Sequence, residues 1–159
     1  MLIISDNSAV SALDETDLLH LLPALFGTIV LTESVSRECG HVRAPRALRE
    51  WIADPPSWVR IVPDPPVTLP ETANLGQGEA TSISLAWEHR DESRLILDEK
   101  RGRRVAAALG LPMTGVVAVI GEAARRGLID FDAAILKLSG VGFHVSDEVI
   151  AVVKSKHGL

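Results

Sequence analysis

The sequence predicts one α/β domain in which a parallel sheet of about four to five strands carries helices on both faces. Short apolar runs alternate with stretches of helical periodicity along the whole chain, and such alternation is typical of a parallel sheet buried on both sides. The 159 residues are the size of one ordinary domain. Hydrophobic residues make up 47% and charged residues 23%, as in a soluble globular protein.

The first forty residues predict two strands, each followed by a helix. Leu2 to Ser5 is apolar enough for a buried strand, and three successive residues after it suit a helix N-cap: Asp6, Asn7 and Ser8. Leucines at helical spacing over residues 18–26 predict a further helix, with a break or kink at Pro23. Residues 28–31 predict the second strand, and residues 32–39 a helix ended by a glycine.

Residues 41–75 are the least regular part and predict a Pro-rich insertion on the single domain, which spans residues 1–159. Five of the nine prolines fall within twelve positions, at 55, 56, 63, 65 and 66. A short helix over residues 47–53 and a strand over residues 58–62 are the only regular elements expected there.

The second half of the chain has the clearest pattern. Strands are predicted at residues 94–97 and 111–114, and helices at residues 78–89, 99–109, 116–126, 131–138 and 147–154. Glycines follow two of these helices directly, at positions 110 and 127. The apolar stretch from Val116 to Ile120 is expected to face either the core or a second subunit.

Composition and simple motifs exclude several classes of site. Cys39 is the only cysteine, and the five histidines lack metal-ligand spacing, so neither a disulfide framework nor a zinc site is expected. No apolar run approaches a membrane span, and the first residues do not resemble a signal peptide, so we expect a cytoplasmic location. The net charge of −5 disfavours a protein that grips long stretches of phosphate backbone.

Four carboxylates are candidates for a metal site. Asp6 closes the first strand and Asp98 follows a later one, so both are expected at the carboxyl edge of the sheet. Glu79 stands in the first turn of a predicted helix, and Glu38 lies on the helix after the second strand. Converging carboxylates without basic partners are typical of a site for Mg²⁺ or Mn²⁺.

Each of these acids also has a simpler interpretation when taken alone. Asp6 and Asp98 are suitable helix N-caps. Glu79 is favoured at the positive end of a helix dipole, and Glu38 could be an ordinary solvated helix residue. Their joint placement at one edge is what favours a metal site.

Ordered motifs along nearly the whole chain resemble those of PIN-domain proteins. The matching segments are residues 6–8, 35–38, 76–80, 97–106, 109–115 and 142–148. They are similar to a prokaryotic branch described as predicted nucleic-acid-binding PIN proteins, which is related to the toxins of VapBC-type toxin–antitoxin pairs. The resemblance implies a three-layer PIN-like fold.

The resemblance also implies a Mg²⁺- or Mn²⁺-dependent endoribonuclease. Asp6, Glu38, Glu79 and Asp98 fall on the acidic positions of the family, which implies both metal binding and catalysis. Ser8 falls on a small hydroxyl position, where we expect contact with the substrate. The sequence departs from the family at Asn7, where threonine is common, and at Glu99, where a second aspartate is common. A small antitoxin is the implied protein partner. A second copy of the chain is a further candidate partner, through the apolar stretch from Val116 to Ile120.

A basic segment follows the Asp98 motif. Lys100, Arg101, Arg103 and Arg104 are expected either to hold the RNA backbone or to form a solvated helix face. Two rival functions remain beside the ribonuclease. One is a non-catalytic PIN scaffold that binds RNA or a protein, and the other is a metal-dependent nuclease acting on DNA.

Overall fold

The computed structural model describes residues 1–159 and contains one sheet of five parallel strands. The strands are β1 (Leu2–Ser5), β2 (Ile29–Thr32), β3 (Val59–Val62), β4 (Ser93–Ile96) and β5 (Met113–Thr114). They lie in the order β3-β2-β1-β4-β5, and every neighbouring pair is parallel. The predicted α/β class and the number of strands are therefore confirmed.

Nine α-helices surround the sheet: α1 (Asn7–Glu15), α2 (Leu21–Phe26), α3 (Glu33–Cys39), α4 (Arg46–Ala53), α5 (Gln77–Glu88), α6 (Lys100–Ala108), α7 (Val116–Arg125), α8 (Phe131–Gly140) and α9 (Asp147–His157). A short 3₁₀ helix spans Pro70–Thr72. Four of the α-helices begin at a side chain that accepts a hydrogen bond from the first turn, namely Asp6, Thr32, Asp130 and Ser146.

The strands are apolar at successive positions because both faces of the sheet are covered. In β1, Ile3 packs against one hydrophobic cluster and Ile4 against the other. The first cluster joins the sheet to α1–α4 and α7–α9, and the second joins it to α5 and α6. Helices therefore lie on both faces, in three layers as the resemblance implies.

The order of the strands reverses between β1 and β4. From β1 the chain moves outward to β2 and β3 through helices on the first face. It then returns through α5 on the second face to place β4 on the other side of β1. Such a reversal opens a crevice at the carboxyl ends of the two central strands.

The α7 helix is core rather than an exposed face. Four of its first five residues are buried, namely Val116, Val117, Val119 and Ile120. On its outer side α9 packs so closely that a methyl group on Gly121 would overlap Val153 and His157. Of the two expectations for the apolar stretch at residues 116–120, the structure therefore shows burial in the core.

The segment between residues 41 and 75 is attached to the sheet and to α3. Its strand β3 forms the edge next to β2. Just after β3, Asp64 accepts hydrogen bonds from the backbone N–H of Ser34 at 2.9 Å and from its hydroxyl at 2.6 Å. These bonds hold the first turn of α3 against the Pro-rich loop.

Candidate metal and nucleic-acid site

The crevice between β1 and β4 is lined by carboxylates. Asp6 directly follows β1, and Asp98 lies two residues beyond β4. Glu38 lies on α3, and Glu79 in the first turn of α5. The charges of Asp98 and Glu38 act on Asp6, and those of Asp6 and Glu38 act on Glu79. The four acids singled out in the sequence are therefore neighbours, and we call them the acid cluster.

Asp6 is the central member of the acid cluster and is only 2% exposed. One of its oxygens accepts the N–H of Ala9 at 3.0 Å, and the other accepts the hydroxyl of Ser8 at 2.7 Å. Burial nevertheless raises the pKa of Asp6 to about 6, and the nearby charges of Asp98 and Glu38 add to that rise. Asp6 is therefore both a helix N-cap and a carboxylate under repulsion from its neighbours.

Asp98 begins no helix of its own, since α6 starts at Lys100 and Glu99 stands at its N-cap. Its carboxylate accepts the N–H of Val116 at 3.0 Å and so caps α7, a helix 18 residues further along the chain. Burial raises the pKa of Asp98, while the Val116 hydrogen bond and the Arg103 charge lower it in part. The guanidinium of Arg103 also donates to the carbonyl of Leu97 at 2.6 Å.

Glu38 also caps a helix other than its own. Its Oε1 accepts the N–H of Gly78 at 2.9 Å, at the start of α5. The N-cap residue of α5 is Gly76, which has no side chain to supply that bond. Glu38 is therefore held by the helix that carries Glu79, and it is more than a solvated helix residue.

Glu79 differs from the other three acids because its Oε2 is buried and has no hydrogen-bond partner. The pKa of Glu79 is raised to about 7, mainly by burial. The charges of Glu99, Asp6 and Glu38 also raise this pKa, and the charge of the nearby Arg101 lowers it by less. A buried polar atom without a partner is costly and calls for a reason, such as a catalytic role or a bound ion. Capping explains three members of the acid cluster but not Glu79.

Three glycines make room for the carboxylates. A Cβ atom at Gly78 would overlap the Glu38 carboxylate, and one at Gly102 would overlap Oε2 of Glu79. A Cβ atom at Gly115 would lie 2.7 Å from an oxygen of Asp98. All three glycines belong to the motifs that carry the family resemblance, but only the tertiary contacts show what each one accommodates.

Helix N-termini supply the positive potential that partly balances this negative charge. The starts of α1, α5 and α7 each direct backbone N–H groups at one acid, and a helix N-terminus carries roughly half a positive charge. Three acids are therefore partnered without any cation. Glu79 is the one member of the acid cluster with a buried oxygen that no helix N-terminus or side chain partners.

The donor set suits a hard cation, although the acids do not enclose one tightly. The available ligands are carboxylate oxygens, which Mg²⁺ and Mn²⁺ prefer. No three Asp, Glu, His or Cys side chains stand together in a ready ligand arrangement. Mg²⁺ usually keeps several waters and binds through one or two carboxylates. The unpartnered Oε2 of Glu79, which packs against Gly102, is an oxygen donor of the kind that such an ion takes.

The predicted basic residues divide into two groups. Arg103 is turned inward to Leu97 and Asp98, where it positions the loop after β4. Lys100, Arg101 and Arg104 are exposed, and Arg101 and Arg104 line a groove of about 390 Å³ with residues around Asn74. Ser8 donates to Asp6 from the first turn of α1 and remains partly accessible.

Sequence reasoning missed several residues that shape this edge. Asp64 anchors α3 from the irregular segment, and the Thr32 hydroxyl lies 2.9 Å from that of Thr81 on α5. Arg37, His41 and Arg43 also lie at this edge, in a groove beside Glu38. The close spacing of Arg37, His41 and Arg43 was the only signal in the sequence that could have pointed to these three residues.

Comparison with known proteins identifies the fold family. A family model described as DUF3368: PIN domain matches residues 2–159, which confirms the resemblance seen in the motifs. Neither the curated proteins nor the solved structures contain a match to the chain. None of the nine helices has the length and apolar character needed to cross a membrane.

Proposed function

Because the chain belongs to the PIN-domain family DUF3368, whose domains are in general nucleases, we propose that it is a Mg²⁺- or Mn²⁺-dependent endoribonuclease. The reaction is hydrolysis of RNA phosphodiester bonds at the acid cluster. The observation that carries this proposal is the buried, unpartnered Oε2 of Glu79 among three other carboxylates at the strand reversal. Helix capping, which accounts for the other three acids, does not account for that atom.

Asp6, Glu38, Glu79 and Asp98 would hold the cation, directly or through water. The chemistry that such an ion supplies when bound is activation of water and neutralisation of charge on the phosphoryl oxygens. The hydrogen bonds from Ala9 and Ser8 fix the orientation of Asp6, and the α7 N-terminus fixes that of Asp98. The acid cluster is therefore positioned before any ligand arrives.

Glu79 is the residue of the acid cluster whose charge would respond most to a bound cation. Without a cation its pKa is about 7, so it is partly protonated near neutral pH, and a cation at the cluster would lower that pKa. Lys100 and Arg101 are exposed next to this edge and would attract the phosphate backbone of the substrate. Binding of phosphate there would be local, as the net charge of −5 requires.

The resemblance to VapBC-type toxins further supports a toxin-like regulator restrained by a small antitoxin. A gene for a short basic or DNA-binding protein next to this one would support that assignment. A homodimer is a further proposal, although the apolar stretch at residues 116–120 that suggested it is buried in the core. Sedimentation equilibrium of the purified chain would test it.

A non-catalytic scaffold that binds RNA or a protein is the second candidate. It is favoured by the lack of any three metal-binding side chains in ready ligand arrangement. In a scaffold Asp6, Glu38 and Asp98 would serve only to cap helices α1, α5 and α7, and Glu79 would have no such role.

RNA cleavage with and without Mn²⁺ separates the two candidates. The wild type should cut single-stranded RNA in Mn²⁺ or Mg²⁺ and lose all activity in EDTA. Asp98→Asn from the same purification scheme should lose roughly 100-fold or more, because outer-sphere changes alone cost 10–100-fold at metal sites. Undiminished cleavage in EDTA would exclude the metal mechanism. Equal rates in wild type and variant would identify a contaminating nuclease, and faster cutting of single-stranded DNA would favour the DNA nuclease.

A further inference from the structure

A polar groove lies beside the acid cluster, on the side of β2. It has a volume of about 460 Å³ and is lined by Asn7, Ser34, Arg37, Glu38, His41, Arg43, Ala44 and Gln77. We call it the α3 groove, because most of these residues belong to α3 or to the turn that follows it. It shares Glu38 with the acid cluster, so a ligand in the groove would reach the cluster directly.

Arg37 is held in a fixed position at this groove. Its Nη2 donates to Asp64 at 3.1 Å and to the Ser34 hydroxyl at 3.0 Å. Burial alone would raise the pKa of Asp64, but the hydrogen bonds from Ser34 and Arg37 lower it below its usual value. The Nε and Nη1 atoms of Arg37 make no hydrogen bond within the chain, and its side chain is 65% exposed. A pre-positioned guanidinium with free donors is suited to a phosphate oxygen.

His41 and Arg43 add two more donors without internal partners. His41 Nδ1 accepts the backbone N–H of Arg43 at 3.0 Å, which leaves the Nε2–H free to donate outward. The Arg43 side chain is exposed and forms neither a hydrogen bond nor an ion pair within the chain. Together with Arg37, these two residues give the wall of the groove three side chains with free donors.

The lining of the groove indicates which ligand fits. Ala44 is its only apolar residue, so the groove does not suit an apolar molecule or the aromatic anchors of a typical protein interface. It contains no aromatic ring for base stacking, since Trp51 and Trp58 pack together against the core and Trp87 stacks on Arg90. Phosphate contacts would therefore dominate, with the amides of Asn7 and Gln77 near any base that enters.

The α3 groove and the groove of Arg101 and Arg104 lie on opposite sides of Asp6. The α3 helix follows β2, and α6 follows β4, while Asp6 ends β1 between them. We propose that the α3 groove binds the backbone of a single RNA strand on one side of the scissile phosphate, while Arg101 and Arg104 hold the other side. The assignment rests on the proposed RNA function, but not on cleavage.

Arg43→Ala tests this assignment with little risk to the fold, because that side chain forms no hydrogen bond or ion pair within the chain. The probe is a short fluorescein-labelled single-stranded RNA of mixed sequence, and anisotropy is measured in EDTA so that cleavage plays no part. Losing one phosphate contact reduces the steepness of log K against log salt by about 0.7. The gain in affinity on going from 1 M to 0.1 M salt is then about fivefold smaller. The double variant of Arg37 and Arg43 should reduce that steepness by about 1.4.

Arg60→Ala is the matched control. Arg60 is also an exposed arginine, but it lies on β3 beside Met1 and Leu2, away from the acid cluster. Its removal should leave the salt slope unchanged, and thermal melts should show that all variants fold. A normal salt slope in Arg43→Ala, or equal losses in Arg43→Ala and Arg60→Ala, would overturn the proposal. So would equal competition by poly-glutamate at matched ionic strength, which would identify a site for acidic proteins.

The binding assay and the cleavage assay test the two proposals separately. If RNA is bound through Arg43 but never cut, the α3 groove stands and the endoribonuclease does not. If RNA is cut but the salt slope of Arg43→Ala equals that of the wild type, the endoribonuclease is supported and the groove assignment is wrong.

Discussion

Replacing Asp6 with asparagine should stabilise the metal-free protein at neutral and alkaline pH. Asp6 is only 2% exposed, and this burial is the main reason that its pKa is raised from 3.8 to about 6. Asparagine caps a helix about as well as aspartate and keeps the acceptor for the Ala9 N–H. The substitution therefore removes the buried charge while leaving the α1 cap in place.

The size of the effect follows from the raised pKa. The folded protein holds the Asp6 proton more tightly than the unfolded chain does, so the protonated carboxyl contributes to the free energy of unfolding. This contribution is fully present below about pH 3.8 and is lost as the pH rises through about 6. At about 1.4 kcal/mol for each tenfold change in proton affinity, the loss by pH 8 is about 3 kcal/mol, of which about 2 falls between pH 4.5 and 8. For a domain of this size the full loss is a fall in Tm of about 6–12 °C.

Urea unfolding in EDTA, followed by circular dichroism at several pH values, measures the difference between wild type and Asp6→Asn. We expect that difference to grow in favour of the variant from pH 4.5 to pH 8. Asp91→Asn is the control, because Asp91 is exposed and has no internal partner, and its difference from wild type should be flat with pH. A flat difference for Asp6→Asn as well would refute the idea that burial and neighbouring carboxylates strain this residue.

Three further predictions concern the metal, the glycines and the basic segment. Mn²⁺ at ten times its Kd should stabilise the wild type by about 1.4 kcal/mol, which thermal melts would show as a rise in Tm of about 3–6 °C. Asp98→Asn should lose most of that rise in Tm. Gly102→Ala, which crowds the unpartnered carboxylate, should cost about 1–3 kcal/mol and reduce cleavage, whereas Gly140→Ala, with open space at its Cβ, should be neutral or stabilising in urea unfolding. Changing Arg101 and Arg104 together to alanine should weaken RNA binding and lower the salt slope by about 1.4 without altering the Mn²⁺ response; an unchanged slope would make them a solvated face only.

The local pattern of the sequence was enough to predict the elements of the fold. The run from Leu2 to Ser5 is apolar at every position but its last because the strand is buried on both faces, and the same is true of β2. The rule that parallel strands share a carboxyl edge then places Asp6 and Asp98 near each other from the sequence alone. Boundaries were predicted less well: β5 has only two residues, because the N–H of Leu111 donates to the carbonyl of Ala106 at the end of α6 and not to a neighbouring strand.

The partners of the acids could not be predicted, because each one depends on contacts between distant parts of the chain. Asp98 suits an N-cap by its position, yet it caps α7 and not the helix that follows it. Glu38 looks like a solvated residue on α3, yet it caps α5 through Gly78, 40 residues later in the chain. Local sequence carries no information about which helix start will face a given side chain.

By itself the sequence determined the α/β class and the order of strands and helices along the chain, and it placed Asp6 and Asp98 at one edge of the sheet, since hydrophobic periodicity and strand ends are local properties. Only the tertiary structure decided the strand order β3-β2-β1-β4-β5 and the crevice it opens between β1 and β4. It also decided that Glu79 alone is left without a partner. The physical reason is that desolvation and hydrogen-bond pairing depend on which distant segments pack together, and packing is settled only when the whole chain has folded.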